Sequence, residues 1–241
     1  MSAVSLADII AAAEAGATHL RVCTAEEIGE LTDRFGTRNV TVEHTTLPRE
    51  AGEGFVVVTR DDEFVGAVGV AALRTLLAPP ARSLGTEGDE AFQALLGLLD
   101  DTVFTSLDRR QLLATSREIE DRAWRLGRGR LYAGFQSFSA MRDQVEVYER
   151  LASKAGLEVH VFGEPDWEPP AMEGVIRHAT ADPEITRVWF VVYDGADSLD
   201  DCALLAEERS PGQFHGFWTY EPDRVREIVA EVERVVAADG S

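Results

Sequence analysis

The 241-residue chain contains one lysine, Lys154, and two cysteines, Cys23 and Cys202. Its uncharged apolar runs fall well short of the ~18 residues that a membrane span needs. Each scarcity excludes something. Two cysteines without paired spacing or metal-site company argue against a disulfide framework and read as reduced, buried thiols. The opening stretch MSAVSLADIIAAAEAGATHL lacks a basic segment and carries Asp8 and Glu14, so no secretory signal is expected and the protein reads as cytoplasmic. The near-absence of lysine stands beside 43 acidic residues and a formal charge of −20. A hyperthermophile enriches lysine together with glutamate. Acid excess without lysine instead suits a cytoplasm at molar salt, where carboxylates keep proteins soluble. No basic face of any length is present, which argues against direct nucleic-acid binding. At ~1 M salt the screening length is about 3 Å, so charge alone excludes less than in dilute buffer.

Hydrophobic residues make up 45% of the chain, enough for a real core. A chain of this size buries roughly 70% or more of its unfolded surface. The first half reads helix (Leu6–Ala15), strand (His19–Thr24), helix (Ala25–Phe35), then strands at Asn39–His44, Gly54–Thr59 and Phe64–Val68 and a short helix at Val70–Leu77. Residues Ala81–Asp89 read as a loop. Two central helices follow, Glu90–Thr102 and Arg109–Leu126. The second carries Leu112, Ser116, Ile119, Ala123 and Leu126 as one stripe. Beyond it come a strand (Leu131–Gln136), a helix (Ala140–Ala155), strands at Leu157–Gly163, Arg187–Asp194, Cys202–Glu208 and Gly212–Tyr220, and a closing helix, Pro222–Ala237. The expected fold class is α/β: a mixed sheet with flanking helices. The order strand-helix-strand-strand-strand-helix occurs twice, about 1–80 and 130–238, joined by the helical segment 89–126. That order suggests two degenerate halves of a single domain over 1–241.

Strong catalytic signatures are missing: no GxSxG elbow, no HExxH, no P-loop lysine, and five histidines without ligand spacing. No catalytic or metal residue is therefore assigned, and the cofactor is unknown. The aspartates at 194, 197, 200 and 201 lack the frame of a calcium loop and read as a solvated turn. In "GQFHGFWTY" (Gly212–Tyr220) both faces of the strand are large and mostly apolar, the pattern of an interior strand. His215, Trp218 and Tyr220 carry polar handles that can also line a pocket. Ligands of open α/β sheets sit beyond the carboxyl ends of parallel strands. Those ends are marked here by Gln136, Ser137 and Ser139, by Glu164, Asp166 and Trp167, and by Asp194. The ligand-binding candidates are thus Gln136, Ser137, Asp166, Trp167, Asp194, His215 and Trp218; helix capping and turn formation are the competing uses. Seven arginines lie between Arg109 and Arg130. Pairs such as Glu118–Arg122 and Asp121–Arg125 fit a surface helix. Arg117, Glu120, Asp121 and Trp124 are also the residue types of a docking face.

The ordered segments "SREIEDRAWR", "LYAGFQ", "VFGEPD" and "VWFVVYDG" resemble the DICT sensory domain, in particular the stand-alone versions from haloarchaea. The resemblance is densest from Asp100 to Tyr220. Ser116, Arg117, Glu120, Asp121, Gly134, Phe135, Gln136, Gly163, Pro165 and Asp166 match the family's motifs. It implies a non-enzymatic sensory or regulatory role, with a signalling or transcription-regulatory protein as partner, a small molecule as candidate signal, and no membrane. No cyclase, kinase or DNA-binding helix pair accompanies these motifs, so output would pass through a partner. The alternatives are a pure interaction scaffold without ligand, an enzyme using Asp166 or His215 as base, and, more distantly, a DNA-binding regulator.

Overall fold

The structure, a computed structural model, describes residues 5–16, 18–25, 40–60, 62–71, 103–107, 109–210 and 213–239. The helices expected at Ala25–Phe35, Val70–Leu77 and Glu90–Thr102, and the loop at Ala81–Asp89, lie wholly or almost wholly outside the described residues. In chain order the elements are α1 (Leu6–Ala15), β1 (Thr18–Thr24), β2 (Val40–Thr46), β3 (Phe55–Arg60), β4 (Glu63–Gly69), β5 (Val103–Leu107) and α2 (Arg109–Leu126). There follow β6 (Arg128–Ser137), a 3₁₀ segment (Phe138–Gln144), α3 (Val145–Ala152), β7 (Gly156–Glu164), β8 (Val175–Ala179) and α4 (Pro183–Thr186). The chain ends with β9 (Val188–Asp194), β10 (Cys202–Ser210), β11 (Gln213–Thr219) and α5 (Pro222–Asp239). The expected mixed α/β class holds: both sheets are mixed, and helices flank the second.

The chain forms two compact units, Ala12–Thr105 and Met1–Ala11 with Ser106–Ser241. The first holds a four-stranded sheet in the order β2-β1-β3-β4. β1 and β2 are parallel, while β3 and β4 form an antiparallel hairpin against β1. Val56 and Val58 on β3, with Leu20 and Val22 on β1, supply its buried face.

The second unit is built on a seven-stranded sheet in the order β5-β11-β10-β9-β6-β7-β8. β6, β7 and β8 run parallel; β9 is antiparallel to β6, β10 to β9 and β11 to β10. Its central strands are buried continuously, with six consecutive buried residues from Val188 to Tyr193 and five from Cys202 to Ala206. Such runs mark a sheet covered on both faces, whereas a one-sided sheet alternates. Trp189 reaches α2 on one face through Ser116. On the other face Tyr132 reaches Glu233 of α5, and Arg224 of α5 lies over the Phe217 ring. β11 is interior, with Phe214, Phe217 and Trp218 all buried, as its two apolar faces imply. Both cysteines are free and buried, and burial pushes the Cys202 thiol up to about 12.

Four elements depart from the sequence reading, among them the short helix α4, which Asp182 caps. β5 and β8 were not expected as strands; β8 reads VIRHA and sits at the sheet edge, where polar residues are tolerated and the apolar signal is weak. The helix expected from Ala140 opens as the 3₁₀ segment and becomes α-helical only at Val145.

Candidate functional site

Two features meet at the carboxyl end of β6: a buried polar cluster under α2 and the strand-end rim. The cluster starts from α2, whose inward stripe includes not only Leu112, Ile119 and Ala123 but also Ser116 and Glu120. Glu120 is 5% exposed. Tyr148 of α3, fully buried, donates its hydroxyl to Glu120 Oε1 at 2.7 Å. Arg117 donates to Glu120 Oε2 at 2.5 Å and also to the side-chain oxygen of Gln144. Burial raises the Glu120 carboxyl above its ordinary value, while Arg117 and Tyr148 pull it back. Burial likewise drives the Tyr148 hydroxyl well above the phenol range. Ser116 Oγ accepts from the Trp189 indole at 3.2 Å, and Phe135 meets Tyr148 edge-on with centroids 5.2 Å apart. These groups line a crevice with room for about one water. A carboxylate buried this deeply needs such partners, because an unpaired charge there costs several kcal/mol. The cluster therefore ties α2 to the 3₁₀ segment and α3.

The rim begins where β6 ends. Gln136 has φ of 63°, in the left-handed region that side chains with a Cβ rarely adopt. The β6–β7 register shifts between Gly134 and Ser137, so the chain bulges as it leaves the sheet. Gln136 donates its amide to the Arg187 carbonyl at 3.3 Å. The backbone N–H of Ser139 donates to Asp166 Oδ1 at 2.8 Å, and its hydroxyl donates to Oδ2. The Ser139 hydroxyl is the main cause holding the Asp166 carboxyl below its usual value. The Arg142 guanidinium lies over Trp167, 5.0 Å from the ring centroid. Two glycines make this crossing passable. A Cβ at Gly134 would stand 2.1 Å from the Phe190 ring, and one at Gly163 would meet Ser137 and Phe138 backbone at 3.0 Å.

Residues 91–209, just under half of the chain, match the family described as "Sensory domain in DIguanylate Cyclases and Two-component system". This segment is a DICT domain. Within this segment the fold brings Ser116, Glu120, Phe135 and Gln136 to the carboxyl end of β6, and Asp166 at the end of β7 joins them on the rim. No curated protein matches the chain. Over 92% of its own length the chain aligns with the crystal structure of polyphosphate kinase from Porphyromonas gingivalis, at 10% identity and a TM-score of 0.38; it spans about half (46%) of that kinase. A likeness at that level carries no argument about fold or chemistry.

Within the DICT segment, Gln136, Ser137, Asp166 and Trp167 lie together on the rim. Asp194 does not. β9 is antiparallel to β6, so its carboxyl end lies at the opposite edge, where Asp194 pairs with Arg130 at 2.5 Å. Beyond the segment, His215 opposes Glu207 near the rim end of β11, whereas Trp218 opposes Leu204 in mid-sheet and is buried. Among the docking candidates Glu120 faces inward. Asp121 and Trp124 are half-buried, and Trp124 is held between the Arg150 guanidinium (4.6 Å) and the Lys154 ammonium (3.9 Å). On α2, Glu118 pairs with Arg125 at 3.4 Å, and Arg122 donates to the Leu199 carbonyl at 2.9 Å. Sequence reasoning missed Gln144, Tyr148 and Trp189. All three look like ordinary helix or strand residues, and only their convergence on Glu120 and Ser116 gives them a role. No described helix is long and apolar enough to cross a membrane.

Proposed function

We propose that the chain is a non-enzymatic sensory or regulatory protein that receives its signal at the strand-end rim of β6 and β7 and passes it on through α2 and α3. One observation carries this reading: Arg117 and Glu120 of α2 meet Gln144 and Tyr148, with Phe135 of β6 edge-on to Tyr148, and this cluster begins one 3₁₀ segment away from the rim. A ligand or partner that shifts the Ser139–Asp166 contact pulls on the 3₁₀ segment, and Gln144 at its end transmits the pull to Arg117. Coupling then needs only two arrangements of a packed helix pair that the signal binds unequally. The candidate ligand residues are Gln136, Ser137, Asp166 and Trp167, with His215 at the same end of the sheet. A signalling or transcription-regulatory protein receives the output, reading α2 through Asp121 and Trp124. The acidic, lysine-poor surface suits a salt-rich cytoplasm, and unfolding on removal of salt tests that part.

The deciding experiment is a thermal-shift screen of the whole chain against nucleotides and metabolites. A ligand that raises Tm in the parent protein and fails to do so in Asp166→Ala supports the reading. A complete absence of hits favours the second reading, a scaffold without ligand, which the water-sized crevice supports. Retention of the shift in Asp166→Ala removes the rim from the site.

A further inference from the structure

A chain of hydrogen-bonded titratable groups lies on the sheet face that carries α5. β7 places Glu158, His160 and Phe162 on one face, and β8 places His178 beside them. His160 Nε2 is 2.6 Å from Glu158 Oε1, and His160 Nδ1 is 2.9 Å from His178 Nε2. An ionised carboxylate only accepts, so His160 Nε2 carries a hydrogen. The two imidazole planes lie within 11° with centroids 5.2 Å apart. The rings therefore meet edge to edge, with one hydrogen between the facing nitrogens. Tyr132 stacks on His160 at 4.9 Å and Phe162 on His178 at 4.5 Å, which holds both rings in that plane.

β8 is the last strand of its sheet and is laddered to β7 alone. Ile176, Arg177 and Ala179 are exposed. Among the described residues the His160–His178 bond is the one side-chain hydrogen bond that joins the two strands. We propose that Glu158, His160 and His178 form a proton receptor: one hydrogen shared between the rings clasps β8 to the sheet, and acidification that charges both rings releases it.

The proton count sets the behaviour. With both rings neutral, His178 Nε2–H donates to His160 Nδ1. One added proton keeps that bond and makes it charge-assisted. A second puts hydrogens on both facing nitrogens, so no acceptor remains and two cations stand edge to edge. The pair therefore titrates as a unit in two steps. Burial, and then His160, push His178 below the ordinary histidine value, which places release on the acid side. Charged groups lie on the neighbouring elements, among them the Arg234–Glu231 pair of α5 at 2.6 Å. Tyr132 on β6 donates to Glu233 of α5 at 2.8 Å, and Arg130 bonds Glu233 and Asp194. α4 brings Asp182, which caps it, and Glu184, which accepts the Leu6 amide. Arg177 is on the other face and pairs with Glu168. Two residues past His178, the Thr180 amide donates to the Gly163 carbonyl at 3.2 Å, so the clasp borders the rim.

The test is hydrogen exchange and imidazole nitrogen NMR on the full chain at constant salt, from pH 8 to pH 4.5. The expected result is a two-step titration of His160 and His178. Protection of amides 175–179 should fall about tenfold or more relative to β9 as the second step is crossed, the scale of losing a charge-assisted bond. His178→Phe, which keeps the stack on Phe162, should show no such step. Two independent single-proton titrations, or a β8 response that survives in His178→Phe, overturns the proposal. The nitrogen titration of the parent protein decides even if the variant does not fold. It also reads the clasp whether or not the rim binds a ligand, so its failure leaves the rim reading standing.

Discussion

The two sheets share one wiring plan and differ in almost everything laid over it. β2-β1-β3-β4 and β7-β6-β9-β10 have the same order and the same senses: a parallel pair, then two strands that return antiparallel. In each, a polar contact joins the chain at the carboxyl ends of the parallel pair. Thr24 Oγ1 lies 3.0 Å from His44 Nε2 in the first, and Ser139 bonds Asp166 in the second. The later sheet is extended by β8 on one side and by β11 and β5 on the other, and its central strands carry long unbroken runs of buried residues. In the earlier sheet β4 is exposed or half-exposed along its length, with Phe64 70% exposed. Among the described residues, the second sheet also carries a helix with a buried carboxylate, Glu120, packed where its parallel strands end.

Breaking the comparison is most direct in the strands. Trp218→Ala should cost about 3–5 kcal/mol by denaturant unfolding, because β11 is covered on both faces. Phe64→Ala on the hairpin of the first sheet should stay within about 0.5 kcal/mol. Similar losses at the two positions would erase the distinction. A smaller effect is expected from Arg117→Ala, which takes the cation from a buried carboxylate and should cost about 1–3 kcal/mol. Adding Glu120→Gln to that variant should restore part of the loss, as a double-mutant cycle will read.

The Glu120 carboxyl sharpens the same point through pH. Its folded value is raised, chiefly by burial. A raised carboxyl favours the folded state fully below the unfolded value of 4.5, and that contribution is lost as pH rises through the folded value. Melting curves of the parent protein and Glu120→Gln should therefore diverge above pH 4.5, with the parent losing ground. Parallel curves would mean that Glu120 is not buried in solution. The smallest effect concerns the two left-handed residues other than glycine among the described residues, Asp62 in the β3–β4 turn and Gln136 at the end of β6. Gln136→Gly should stabilise by about 0.5–1 kcal/mol, since it relieves a backbone that a long side chain disfavours. Asp62→Gly should be close to neutral, because aspartate tolerates that conformation in turns. If Gln136→Gly also weakens ligand response, the strain at the rim serves the site.

Several features were legible before any coordinates. The runs FVVV, VWFVVY and CALLA announce strands by their β-branched and apolar character, and the Arg109–Leu126 helix follows from its stripe and flanking glycines. The rim residues Gln136, Ser137 and Asp166 are recognisable as strand-end positions. Other features carry no local signal. β8 hides because an edge strand need not be apolar. Asp194 was grouped with the rim because strand direction is not written in a strand's own residues. Glu120 looked like a surface acid because most glutamates on an arginine-rich helix are exposed.

Composition and periodicity thus determined the class of fold, the net charge of −20 and the set of core-forming segments, since each depends on single residues and on how they partition between water and the interior. Tertiary structure alone decided which strands run parallel, which carboxylate is buried, and that His160 and His178 face each other across 18 positions of sequence. Those outcomes depend on contacts between distant segments, and a contact's energy belongs to the pair that the fold brings together, not to either residue along the chain.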